Sequence, residues 1–250
     1  MQQCYKQRSV RLNMPNNFLK DRRRFILNSV MAAPAIAMFG LGDVYAKSET
    51  PQDSKPRDDY QPLFFGKEEW LFINSACDTL IPHDDNGPGA LETQVPVFID
   101  RQLFGDFGHA ATWYMKGPFQ PDAAPDRGYQ LSLTPQQVYR LGIRETNDWC
   151  VANYQKSFQE LSDEEKKFIL EGLEERRITS TLVPLDTFFS FLLQNTKEGY
   201  FADPVHGGNK NMQSWVMIGY PGARASYLEW VEKHNVHYPL TPTSLNGKTV

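Results

Sequence analysis

Three places in this 250-residue chain bring together residue types that could do chemistry. His83-Asp84-Asp85 sets an imidazole beside two carboxylates, donors that ligate a cation or exchange a proton. The stretch lacks the alternating acids and closing glutamate of a calcium loop, so it also fits a helix-stopping turn whose aspartates bond backbone amides. Asp203-Pro204 leads into His206-Gly207-Gly208-Asn209. Paired glycines let a backbone approach a ligand closely, but no strand pattern precedes them and no G-x-G-x-x-G is present. A tight turn shaping a contact surface is the simpler reading. Cys77 and Cys150 are an even pair once Cys4 is set aside, either one disulfide or two buried thiols. No C-x-x-C, C-x-x-C-H, G-x-S-x-G, H-E-x-x-H or P-loop occurs, and His109, His234 and His237 stand alone.

The elements that must position these groups read as helices. Residues 67–80 repeat Trp70, Ile73, Cys77 and Leu80 on one stripe and stop at Pro82. Residues 94–104 set Val95, Phe98, Ile99 and Leu103 on one face. Thr134 with Pro135 and Gln137 predicts an N-cap, a first-turn proline and a capping box for a helix reaching Tyr154. Val138, Leu141, Glu145, Asp148, Trp149 and Ala152 are expected along its face. Ser162 and Glu165 repeat the device ahead of an inward stripe of Phe168, Ile169 and Leu173, and residues 184–196 form a further helix. Between them lie a turn cluster at 82–90 and two long aperiodic stretches, 105–133 and 199–222. Loops of that length bind something or carry function. The expected fold is mainly α: a single helical domain at 63–250 with long ordered aromatic- and Gly/Pro-rich loops.

Ahead of it, residues 21–46 have the layout of an export label. Arg22 and Arg23, followed by Arg24 and Phe25, resemble the S/T-R-R-x-F-L-K pattern of twin-arginine signals, with Asp21 for the usual Ser or Thr and Leu27 for the usual Lys. A short apolar run from Val30 to Leu41 is below the roughly 20 residues a bilayer span needs. Val44-Tyr45-Ala46 fits a cleavage site. Residues 1–46 are read as the cleavable signal and 47–62 as a flexible leader. The signal carries seven of the 26 Lys and Arg and two of the 30 Asp and Glu, so the mature chain keeps 19 basic and 28 acidic side chains, a net −9. That balance argues against nucleic acid.

Three long segments then become familiar together: "ACDTLIPHDDNGPGALETQVPVFIDRQL" at 76–103, "GPF...RGYQLSLTPQQVYRLGI" at 117–143 and "EGYFADPVHGGNKNMQSWVMIGYPG" at 198–222. They resemble the small, or gamma, subunit (subunit 3) of membrane-bound gluconate 2-dehydrogenase. His206 stands where the family usually has an aromatic. The resemblance implies a partner large subunit of the glucose-methanol-choline type holding FAD, and a multihaem cytochrome c subunit carrying haem c. It implies no catalytic residue, cofactor or metal in this chain. The small subunit would assist maturation of the flavoprotein and carry it through the twin-arginine translocase to the periplasm, where partners hold it at the membrane. The alternatives are an exported metal-dependent enzyme and a binding module unrelated to a dehydrogenase. Loop aromatics and arginines are the expected partner interface: Trp113, Tyr114, Arg140, Arg144, Trp149, Tyr200, Phe201, His206, Trp215 and Tyr220.

Overall fold

The computed structural model describes residues 60–120 and 123–250. The export label with Arg22, Arg23, Phe25 and Ala46, and the leader up to residue 59, lie outside the described residues.

Six α-helices appear among the described residues: α1 Lys67–Leu80, α2 Val95–Phe104, α3 Pro135–Tyr154, α4 Asp163–Glu174, α5 Leu185–Phe201 and α6 Gln213–Ile218. Pairing between extended segments is limited there to isolated bridges. The helix starts follow from local chemistry. Gln137 Oε1 accepts the Thr134 N–H at 2.8 Å while Thr134 Oγ1 accepts the Gln137 N–H at 3.4 Å. Ser162 and Glu165 do the same for α4 at 2.8 and 3.4 Å. Each exchange satisfies two of the amide donors that a helix leaves orphaned at its start. In α1 Glu69 reaches back to the Gly66 N–H at 2.8 Å, and two glutamates in the first turn suit the positive end of the helix dipole.

The core is where α1, α3, α4 and α5 meet. Phe72, Tyr139, Phe158 and Phe188 are fully buried there. Their rings form a chain, with centroids 4.6 Å apart for Phe72–Phe158, 6.2 Å for Phe72–Phe188 and 5.6 Å for the near-perpendicular Tyr139–Phe188 pair. The Tyr139 hydroxyl accepts from buried Asn195 Nδ2 at 3.0 Å, which offsets part of the cost of burying the polar tip. Gly142 on α3 lies directly over Phe188, where a Cβ would stand 2.2 Å from Cγ of the ring.

The buried faces depart from expectation in two helices. In α3 the inward row is Val138, Tyr139, Gly142, Ile143, Thr146 and Cys150, while Asp148 and Ala152 face solvent. In α4 Ile169, Leu170 and Leu173 are buried, but Phe168 stays 47 % exposed with the Arg177 guanidinium 4.7 Å from its ring centre. α5 also runs to Phe201, five residues past the expected end at 196, and α6 lies inside the stretch read as irregular.

The aromatic load of the 105–133 loop pins it down. Phe107, Trp113 and Tyr129 gather on Phe191 of α5, with centroids 6.2, 6.1 and 5.8 Å from that ring. At the amino-terminal side, Asp100 of α2 is fully buried and holds the incoming chain. Its carboxylate accepts the Tyr60 hydroxyl and the Leu63 N–H at 2.7 Å each, and the Phe64 and Phe65 N–H groups at 3.0 Å each.

Replacing a helical glycine by alanine normally gains roughly 0.5–1 kcal/mol. At Gly142 the new methyl meets the Phe188 ring, and overpacking costs about 1–3 kcal/mol. Gly142→Ala should therefore lower the urea midpoint, while Gly172→Ala, which meets the outer atoms of the Ile178 and Arg177 side chains rather than a ring face, should lower it less.

Candidate functional site

Three of the motifs singled out in the sequence converge at the carboxyl end of α5. Gly208 passes so close to α5 that a Cβ would lie 2.1 Å from the Gly199 carbonyl oxygen, so only glycine permits this approach. The next residue, Asn209, is fully buried in the left-handed conformation at φ 43°. Its Nδ2 donates to the Ala202 carbonyl at 2.9 Å, and its Oδ1 accepts from the Ser214 N–H at 3.0 Å. The Gly-Gly-Asn turn thus caps α5 and starts α6, and Lys210 N–H ties it to the Thr93 carbonyl at 3.0 Å just before α2.

The turn at 82–90 packs against the same end. Tyr200 Oη donates to the Pro88 carbonyl at 2.7 Å, and a Cβ on Gly87 would fall 2.2 Å from Met217 Sδ of α6. His83 Nδ1 lies 2.8 Å from Glu92 Oε2, and Asp84 accepts the Asn86 N–H at 2.9 Å and the Asn86 side-chain amide at 3.1 Å. Among the described residues no group of three or more His, Cys, Asp or Glu is placed to hold a metal ion. The His-Asp-Asp cluster is a structural turn that abuts α6.

Asp203 closes the other side. It sits nearly buried after α5 and accepts Ser244 Oγ at 2.6 Å, the Leu245 N–H at 2.7 Å and the Val205 N–H at 3.0 Å. These bonds bring residues 244–245 back onto the body from the far end of the chain. Burial alone would raise its pKa, but the Ser244, Val205 and Leu245 donors, with His206 nearby, outweigh burial and hold the carboxyl below its ordinary 3.8.

The residues expected at a partner interface fall in three places. Trp113 is half-buried in the ring cluster on α5, and its neighbour Tyr114 is 79 % exposed. On α3, Arg140 is engaged within the chain, with Nη1 2.8 Å from both Glu69 carboxylate oxygens and Nη2 3.0 Å from the Phe64 carbonyl. Arg144 bonds its neighbour Glu145, and Trp149 packs on Tyr154 with centroids 6.0 Å apart. The third group is the end of α5 itself. Tyr200 and Trp215 are buried, Trp215 Nε1 donating to the Phe201 carbonyl at 2.8 Å. Phe201, His206 and Tyr220 face solvent, with exposed Val205, Val216 and Ile218 beside them.

Of the two readings of the cysteine pair, a disulfide or two buried thiols, the structure has the thiols. Cys77 and Cys150 are both free and buried in the described structure. Cys77 faces Thr196 Oγ1 at 3.7 Å on α5. Burial pushes both thiols up to about 12, so neither is a thiolate at neutral pH.

Native protein should resist iodoacetamide at both cysteines, and both should be alkylated after unfolding without any reductant; mass spectrometry of the peptides reads the result. A group whose folded constant is depressed gives stability that is complete above its unfolded value and is lost as pH falls through the folded one. The Asp203 latch should hence be intact above about pH 4 and weaken progressively as the pH falls from there through its lower folded value. At neutral pH Asp203→Asn should raise hydrogen exchange at Ser244 and Leu245 about tenfold or more, leaving α1 and α3 protected.

The family described as gluconate 2-dehydrogenase subunit 3 matches residues 67–222. No curated protein and no solved structure matches the chain. The matched stretch begins with the first residue of α1, takes in all six α-helices of the described residues and the Gly-Gly-Asn turn, and ends at Gly222, whose backbone pairs with Thr243. On that extent the chain belongs to the gluconate 2-dehydrogenase subunit 3 family.

Proposed function

We propose that this chain is the non-catalytic small subunit of a periplasmic, membrane-associated, FAD-dependent sugar or sugar-acid dehydrogenase. It assists maturation of the flavoprotein subunit and carries it through the twin-arginine translocase. The family match over residues 67–222 carries the reading. Hydride transfer from a sugar acid needs a cofactor to accept the hydride, and in this reading FAD sits in a large subunit of the glucose-methanol-choline type. A multihaem cytochrome c then passes the electrons on.

Three observations support an escort role. The groups that read as chemistry in the sequence are spent on architecture: His83 on Glu92, Asp203 on the returning chain, and the two thiols sealed in the core. Exposed apolar side chains collect at the end of α5 and on α6, a composition suited to a protein partner. The layout of residues 21–46 resembles a route that accepts folded cargo, so one label suffices for a pair that docks before transit. No helix among the described residues is long and apolar enough to cross a membrane. In this reading the association with the membrane comes through partners. A subunit that stays bound through transit needs an obligate interface, on the order of 2,000 Å² or more.

Replacing Arg22-Arg23 by Lys-Lys should leave both this chain and the flavoprotein in the cytoplasm, as fractionation and flavin-dependent dye reduction would register. Flavoprotein reaching the periplasm regardless would remove the escort role. The purified chain alone should show no flavin absorbance and no dye reduction with gluconate.

A further inference from the structure

An open cleft of about 550 Å³ lies where three separated parts of the chain meet: α2, the Gly-Gly-Asn turn, and the carboxyl-terminal residues held by Asp203. Its lining carries Arg101, Lys210 and Lys248 and no Asp or Glu side chain. In a mature chain of net −9 this is a local reversal of sign. The carboxylates that precede the lining residues Arg101 and Pro204 in sequence are engaged within the chain. Asp100 binds the Tyr60 hydroxyl and three amides, and Asp203 binds Ser244 and two amides. Neither Arg101 nor Lys248 makes an ion pair among the described residues.

The cationic wall is built by the fold. Arg101 is set between Tyr60 and Gly207, whose added Cβ would stand 3.0 Å from Arg101 Cδ. Gly207 itself has φ 111°, so a side chain there would be both strained and in the way of the guanidinium. Lys248 reaches the cleft because Asp203 fixes Ser244 and Leu245. Val97 and Met212 supply apolar floor for the stems of incoming side chains.

We infer that this cleft receives an acidic surface segment of the flavoprotein subunit. The inference rests on the escort reading and names the site at which the escort holds its cargo. One feature favours a protein segment over a small anion. The Pro204–His206 turn that edges the cleft continues into exposed Val205 and Phe201, an apolar border of the kind a protein interface uses. Arg101 and Lys210 lie inside the family-matched stretch, and Lys248 and Tyr60 lie outside it. Charge pairing there sets partner choice and association rate, and it weakens with salt.

The test uses the flavoprotein that co-purifies with the full chain, rebinding to the purified small subunit in biolayer interferometry from 50 to 500 mM NaCl. Arg101→Glu and Lys248→Glu should each weaken binding about tenfold or more at low salt and flatten its salt dependence. Lys167→Glu, on the far exposed surface of α4, should do neither. Lys248→Glu sits in an exposed terminal stretch, so it keeps the test valid if Arg101→Glu unfolds. Retention of full affinity and unchanged salt slope in both cleft variants would overturn the assignment and leave the escort reading standing. If no flavoprotein co-purifies with the unaltered chain, the escort reading fails and this inference falls with it. An isotherm with inorganic phosphate that saturates at micromolar concentration and vanishes in Lys248→Glu, with flavoprotein affinity intact, would also overturn it in favour of a small anion.

Discussion

The contact on which the rest of the molecule depends is the seating of Phe188 beneath Gly142. α5 is the helix against which α2, α3, α4 and α6 all pack. Its ring at 188 fits only because α3 offers no Cβ at the crossing. From that point the buried aromatics run through Tyr139 and Phe72 to Phe158, which brings α1 and the Phe158–Glu160 turn onto the same core. Interiors are close-packed, so a crossing set by one missing methyl fixes the distances of everything stacked on it. The carboxyl end of α5, where the loops gather, inherits its position from this seat.

Around that frame two buried carboxylates settle where the chain's outer segments go. Asp100 gathers the stretch from Tyr60 to Phe65, and Asp203 gathers Ser244 and Leu245. A carboxylate saturated by amide and hydroxyl donors is a strong local anchor, because leaving any of those donors unpaired in a dry site costs free energy. Segments more than 180 residues apart in sequence thus become two rims of one cleft, with Tyr60 on one and Ser244 on the other.

The residue types that could do chemistry are used for architecture. An imidazole beside two carboxylates could ligate a cation or close a turn, and two cysteines could form a disulfide or stay as buried thiols. In the fold the imidazole meets Glu92, Asp84 closes a turn on Asn86, and the thiols are buried and protonated. What stays exposed is of another kind: Phe201, Val205, Val216, Ile218 and Tyr220 on one end of the molecule, beside three cations in a cleft.

Much of the fold was legible in the residues because its signals are local. Thr134 with Gln137 and Ser162 with Glu165 mark two helix starts, since a cap bonds within three residues of itself. The face of α2 was equally readable from the spacing of Val95, Phe98, Ile99 and Leu103. The family could be recognised from long ordered motifs, whose loops resist description by periodicity but are distinctive as strings. Other features required partners far along the chain. Phe168 and Ala152 lie on the wrong side of their expected stripes because the neighbouring helix, absent from a local pattern, decides which side is inward. α5 outruns its expected end because Gly208 and Asn209 cap it from beyond. The pairing of cysteines, the burial of Asp100 and the meeting of Arg101 with Lys248 depend on distances between remote residues. Those distances are set by core packing, which no window of sequence contains.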